Sequence, residues 1–431
     1  MTSLGSYRLP GFQIEDHSIK VPLDWENHSR GQIDLFYRLV WDPARQADDL
    51  PWLVFLQGGP GGAGPRPAGG PAWLTEAVQH YRVVLPDQRG TGRSSPVDGE
   101  DMARLGDAEA GANYLRYFLA DSIVQDLERL RAVIGGDQPW TSLGQSYGGF
   151  LTLAYLSRFP RALKGCLIAG GVPGLPPSAP EVHRRAFPQA ELLSRRHYRR
   201  YPQDREQTAA VAERLAEGDV SLPNGDLLTV PRFQLAGHDL GTSTGSERLH
   251  WLLDTAWAQP GRLSDGFLYQ VMNRTASASA PLYWPLQEFI YACGANGPLN
   301  WSAARELERH PEFAAEARPL LFFGETIFPW MFDQIYELRP FQPAVAELMG
   351  RTEWPLLYDQ EQLAANETPV EAVVYFDDLY VDAELQLDSL RALGNAHAWV
   401  TNQFEHDGLS VDGAVFRRLR QLLLDHGGAG R

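Results

Sequence analysis

The sequence predicts an α/β fold in which a mostly parallel sheet is interrupted by a mainly helical insertion. Three observations predict it. Short apolar runs alternate with helical patterns through roughly the first 171 residues, the rhythm of right-handed strand–helix–strand crossovers. That rhythm stops near Val172 and returns near Pro319. Between an apolar run and a helical pattern lies Gly144-Gln-Ser-Tyr-Gly148, a Gly-x-Ser-x-Gly run suited to a sharp strand-to-helix turn.

In chain order, Ile33–Trp41 alternates well enough for an early strand. Trp52–Leu56 is a short buried strand stopped by Gly58-Gly-Pro-Gly-Gly62. Arg82–Asp87 is a third strand, ending in the Gly-rich turn Arg89-Gly-Thr-Gly-Arg-Ser94. Ile123, Leu127, Leu130, Val133 and Ile134 recur at helical spacing, with Asp121 as the expected N-cap. After the serine turn come a helix over about Tyr147–Arg158 and a strand over Gly165–Ala169. Prolines 173, 176, 177 and 180 then open a segment of helical pattern reaching about Ala315. Strands are expected again at Pro319–Phe323, Val373–Phe376 and Ala398–Thr401, with a closing helix over Val411–Leu424. The expected division is core 1–171, helical cap 172–315 and core 316–431.

Composition narrows the function classes. With 431 residues, 44% hydrophobic and 21% charged, the chain reads as a globular protein large enough for a core plus an insertion. A net charge of −16 with no basic stripe argues against nucleic acid and fits a solvated acidic surface. Two distant cysteines, Cys166 and Cys293, suggest neither a disulfide framework nor a zinc site. No signal-peptide pattern and no stretch of 18 apolar residues is visible, so the expectation is a cytoplasmic protein without a membrane span.

A serine hydroxyl is inert at pH 7 without a base and a pocket for the oxyanion. Chance alone gives roughly 0.2 Gly-x-Ser-x-Gly matches in such a chain, so context must decide. A second match, Gly241-Thr-Ser-Thr-Gly245, follows no apolar strand, and its Ser243, or Ser246 beside it, is expected to cap a helix. Ser146 is therefore the candidate nucleophile. One oxyanion donor is expected from the N–H of Tyr147 and the other from the loop after Leu56, where glycines permit close approach. The base should follow the serine in sequence. His406 lies in a loop just after a strand, whereas His397 sits at that strand's wrong end and His426 in the polar tail. The orienting acid should end the preceding strand, where Asp377 and Asp378 stand side by side, and spacing does not choose between them.

These motifs together resemble the prolyl aminopeptidase (proline iminopeptidase) family of α/β-hydrolases. The resemblance rests on Gln57-Gly-Gly-Pro-Gly61, Asp87–Ser94, Gly144–Gly149, Gly324–Met331, Asp378–Val381 and Val400–Gly408. It covers both sheet-forming portions and is thin in the cap. It implies an α/β-hydrolase fold and removal of an N-terminal residue, preferably proline, from peptides with a free N-terminus. No metal or organic cofactor is required. It selects Asp378 as the acid, and it departs at Gln57, where histidine is usual. It also implies that carboxylates from the cap pair with the substrate's α-ammonium, for which Glu288 and Glu325 are candidates. Trp284, Tyr291, Phe328 and Trp330 would form the apolar pocket. The expected triad is Ser146, His406 and Asp378, with the N–H groups of Gly59 and Tyr147 at the oxyanion. The rivals are an esterase or amidase of the same fold and a non-catalytic binding protein; epoxide hydrolase and dehalogenase chemistry would need a carboxylate in place of Ser146.

Overall fold

The computed structural model describes residues 1–68 and 72–428. Its centre is a nine-stranded sheet in the order β1-β2-β3-β5-β4-β6-β7-β10-β11. The strands are β1 (Thr2–Leu9), β2 (Phe12–Pro22), β3 (Gln32–Trp41), β4 (Trp52–Leu56), β5 (Arg82–Pro86), β6 (Trp140–Gln145), β7 (Leu163–Ala169), β10 (Val370–Tyr375) and β11 (Ala396–Thr401). A separate hairpin pairs β8 (Trp257–Gln259) with β9 (Arg262–Leu263). From β5 to β11 every neighbouring pair is parallel; β1, β2 and β3 join antiparallel at one edge.

Alternation along the strands builds a core on each face of the sheet. Val54, Leu56, Val84 and Ile168 pack with the helices Ala120–Gly135 and Tyr147–Arg158. Leu53, Phe55, Leu85, Leu143 and Val373 face the other way, onto Trp73, Phe416 and Leu419. The parallel sheet with helices on both faces is the expected class.

Local differences have identifiable causes. The sequence pattern gave no hint of β1, because seven of its eight residues are exposed and carry no periodicity. β2 hides because Asp16 and His17 occupy buried positions, where Asp16 pairs with Arg38 at 3.2 Å and Arg93 at 2.8 Å. Asp121 is not an N-cap: the helix begins at Ala120 after Leu119, which makes no side-chain capping bond. The closing helix starts at Gly413, after a separate turn over Gly408–Val411.

The strand expected at Pro319–Phe323 is absent. The segment is buried, but its backbone is satisfied by the helical region instead of by a sheet neighbour. Tyr198 Oη donates to Leu320 O at 2.6 Å and Gln234 Nε2 to Leu321 O at 2.8 Å. The Phe322 N–H donates to Ser194 Oγ at 3.1 Å, and that of Phe323 to Gln234 O at 3.0 Å. Among the described residues, the chain between β7 and β10 therefore holds helices and one short hairpin but no strand of the large sheet. No helix of the described residues is long and apolar enough to cross a membrane.

Candidate active site

Ser146 directly follows β6, the strand between β4 and β7, and precedes the helix Tyr147–Arg158. Its backbone is held at φ 55° and ψ −126°, a conformation costly for any residue with a Cβ. The fold keeps it there by close packing. A Cβ on Gly148 would lie 1.9 Å from Leu56 O, and one on Gly144 2.4 Å from Gly148 O. The half-buried hydroxyl makes no capping bond to its own helix.

His406 reaches the same place from the loop after β11. Its Nδ1 and Asp378 Oδ2 are 2.7 Å apart. Asp378 is itself fixed: its Oδ1 accepts the Tyr380 N–H at 2.8 Å and the Val381 N–H at 3.1 Å. Asp377 turns away, its carboxylate on Arg196 at 3.0 Å and its carbonyl on Gln189. The serine and histidine flank one dipeptide. A Cβ on Gly170 would lie 3.2 Å from His406 Nδ1, and one on Gly171 2.9 Å from Ser146 Cα. The structure thus places Ser146 and the His406–Asp378 pair against the same Gly170-Gly171 dipeptide at the carboxyl edge of the sheet, where open α/β sheets carry their reactive groups.

Burial disfavours charge on His406, but the charge and hydrogen bond of Asp378, helped by Glu325 and Asp407, outweigh it and raise its pKa above the ordinary histidine value. With Nδ1 facing the carboxylate, Nε2 is the nitrogen free to exchange a proton.

The loop after β4 covers the serine turn. A Cβ on Gly58 would lie 2.8 Å from Ser146 Cβ and 2.6 Å from Gln145 O. Gly59, at φ 62°, lies beneath the Tyr283 ring, and a Cβ on Gly61 would touch Leu282. Gln57, the departure from the family pattern, has its carbonyl held by Gln88 Nε2 at 2.9 Å. The N–H of Gly59 and that of Tyr147, first residue of the helix, thus belong to two segments in direct contact.

Glu325 and Glu288 occupy different settings. Glu325 accepts a short hydrogen bond from Tyr283 Oη, and His238 Nε2 lies 2.9 Å from the same hydroxyl. Burial opposes ionisation of Glu325, yet His238 and the Tyr283 bond bring its pKa below the usual carboxylate value. Glu288 is 1% exposed: Oε1 accepts the Ser302 N–H at 2.7 Å, while Oε2 has no hydrogen-bond partner among the described residues and lies 3.9 Å from His183 Nε2. Burial pushes the Glu288 carboxyl up to about 7 and His183 down to about 4.

That shift makes a stability prediction. Between the ordinary carboxylate value and about 7 the folded chain holds a proton that the unfolded chain has lost, so stability falls as pH rises through this window. At about 1.4 kcal/mol per tenfold in proton affinity, Glu288 accounts for about 3 kcal/mol of that fall. Glu288→Gln keeps the acceptor for Ser302 and should flatten the decline of Tm between about pH 4.5 and 7. Thermal melts of both proteins across that range are the check; parallel curves would contradict it.

Of the aromatic candidates, Tyr291 lies 6.0 Å from Phe150 and 6.4 Å from His183. Trp284 packs edge-on to His238 and Tyr283. Phe328 and the half-buried Trp330 stack on each other at 5.8 Å, and the row continues inward through Phe323 to Phe313. Sequence reasoning missed His238, Tyr283 and Tyr380. The Tyr380 ring lies edge-on, 4.7 Å from that of His406, and its hydroxyl donates to His238 O. The only available signal was position: Tyr283 adjoins Trp284, and Tyr380 follows the acid by two.

The second Gly-x-Ser-x-Gly run also has a role, and not as a helix cap. Ser243 Oγ donates to Asp407 Oδ2 at 2.9 Å, and Gly241 O accepts the His406 N–H at 3.2 Å. Ser246 meets His197 Nδ1 at 2.9 Å, and Thr244, before the helix Gly245–Asp254, makes no capping bond. The run clasps the histidine loop to the insertion.

Residues 51–214 match the family model of the alpha/beta hydrolase fold. A proline iminopeptidase of Aeromonas sobria is 41% identical over 428 residues, covering 99% of this chain and all of that one. One from Aspergillus aculeatus is 32% identical over 408 residues, 91% of this chain and 89% of its own. The proline iminopeptidase of Neisseria gonorrhoeae shares only 140 residues, at 31% identity, or 32% of this chain and 38% of its own. Full-length similarity at this level leaves one assignment: the chain belongs to the proline iminopeptidase family of α/β-hydrolases.

Proposed function

We propose that the protein is a serine aminopeptidase that releases an N-terminal residue, preferably proline, from peptides through an acyl-enzyme. The observation that carries this reading is the His406–Asp378 pair at 2.7 Å beside a serine held at positive φ, in a chain of this family. In the first step Ser146 Oγ attacks the carbonyl of the N-terminal residue while His406 Nε2 takes its proton. The N–H groups of Gly59 and Tyr147 hold the oxyanion, worth about 10²–10³ in rate per donor. His406 then gives the proton to the departing amine, and Asp378 keeps the imidazole in the required tautomer. Water, activated by the same histidine, frees the amino acid from Ser146.

The α-ammonium of the substrate needs a counter-charge once desolvated. Ionised Glu325, held by Tyr283 and His238, is suited to that role, with Glu288 behind it. Trp284 and Tyr291 would bound the space for the proline ring, with Phe328 and Trp330 as its outer support. The setting we infer is the cytoplasm, consistent with free, buried Cys166 and Cys293.

The test is the free amine. Prolyl β-naphthylamide should be hydrolysed about 10²–10³-fold more efficiently, in kcat/KM, than N-acetylprolyl β-naphthylamide, because acetylation removes the charge that the carboxylates pair. Equal rates, or a preference for the acetylated compound, would instead indicate an amidase or esterase.

A further inference from the structure

Both histidines set aside as catalytic bases lie together at the opposite end of the sheet. Glu371 is the second residue of β10, a strand buried at every position, and it is fully buried itself. In the parallel register its partner on β11 is His397. His426 closes the C-terminal end of the helix Gly413–Asp425, which packs on β7 and β10. His397 Nδ1 lies 3.0 Å and His426 Nδ1 2.7 Å from the same oxygen, Glu371 Oε1. The two imidazoles are stacked, centroids 3.7 Å apart and planes 24° from parallel.

Hydrogen bonding alone does not complete this cluster. Two imidazole donors on Oε1 leave Glu371 Oε2 buried without a partner among the described residues, a costly state for a carboxylate. The rings, by contrast, are reachable: the His397 side chain is 38% exposed and that of His426 35%. Ring nitrogens of both histidines and a Glu371 oxygen lie within 4.8 Å of one another. Ligand atoms about 2.0–2.1 Å from a common zinc ion are about 3.3 Å apart in a tetrahedron, so modest side-chain rotation suffices. Two neutral imidazoles and one carboxylate form a donor set suited to zinc and neighbouring transition metals, not to calcium or magnesium.

We propose that Glu371, His397 and His426 form a binding site for a divalent transition-metal ion such as Zn²⁺, completed by water on the open side. The ion ties the end of the last helix to the two final strands. Glu371 stands four residues before Tyr375, about 13 Å along the strand and farther still from Asp378. The site therefore acts on stability, not on the reacting atoms.

The experiment uses the full chain, stripped with EDTA and dialysed, then titrated with ZnCl₂ by calorimetry and by thermal melting. One Zn²⁺ should bind per chain, with a Tm that rises as metal exceeds Kd. His397→Ala and His426→Ala, both at part-exposed positions, should each weaken binding at least about tenfold and abolish the rise in Tm. Glu371→Gln should do the same, and the histidine variants decide the matter if it does not fold. Absence of one-to-one binding in the unaltered chain, or equal binding by the histidine variants, would overturn the proposal.

Discussion

Replacing Ser146 with alanine is expected to lower kcat for prolyl β-naphthylamide by about 10⁴–10⁶, with KM changed by less than about threefold. The size follows from what remains. Without the hydroxyl no acyl-enzyme forms, and His406 can only assist a water that lacks a held position. Oxyanion donors and substrate binding still operate, so the variant should stay faster than uncatalysed hydrolysis. Stability should hardly change, because the Ser146 side chain caps nothing and alanine inherits the same backbone angles. Ser243→Ala is the internal control. It removes the 2.9 Å bond to Asp407 from the histidine loop but leaves the reacting groups in place, so kcat should fall by no more than about tenfold. Steady-state kinetics with matched melting curves separate the two serines. Retention of a tenth or more of the rate by Ser146→Ala would end the acyl-enzyme mechanism.

The contrast between these serines marks how far the sequence could be read. Both sit in the same five-residue pattern, and only flanking periodicity, an apolar run before and a helix after, distinguished Ser146. The order of nucleophile and base was equally legible, because His406 follows a strand that the pattern located. The choice between Asp377 and Asp378 was not. They lie in the turn after β10, outside strict alternation, and what orients them is remote: Arg196 and Gln189 on a cap helix for one, the N–H groups of Tyr380 and Val381 for the other. Family likeness supplied what spacing could not.

The groups around Glu325 were least visible. His238, Tyr283 and Glu325 form one hydrogen-bonded unit, yet 45 and 42 residues separate them along the chain. No local period connects such positions. Pro319–Phe323 failed for the converse reason: it has the composition of a buried strand, but side chains of the helical region satisfy its backbone. Apolar runs report burial; only pairing partners distinguish a strand from a buried connection.

Arg89 opens the Gly-rich turn Arg89–Ser94 after β5. Arg89→Met is expected to destabilise the fold by about 3–5 kcal/mol, the cost of leaving a buried charge unpaired. Arg89 is 1% exposed and spends its donors on five bonds. Two go to Asp126 at 2.7 Å each, and three to the carbonyls of Pro22, Leu23 and Tyr117. It thereby ties the end of β2, the turn after β5 and the helix Ala120–Gly135 that precedes β6. Burial already pushes the Asp126 carboxyl above its usual value even with Arg89 alongside. Without the guanidinium, Asp126 must take up a proton or admit water; among the described residues Trp25 Nε1, at 2.9 Å, is the side-chain donor left to it. The double change Arg89→Met, Asp126→Leu should recover only part of the loss, because the unpaired charge is gone but three carbonyls and the Trp25 N–H remain without partners. Guanidinium denaturation midpoints for the two single variants and the double close the cycle. Arg89→Met within about 1 kcal/mol of the unaltered protein would mean that the pair is no net anchor, as happens where desolvation cancels attraction. Activity per folded molecule should stay within about twofold, because none of these five bonds reaches Ser146, His406 or Asp378.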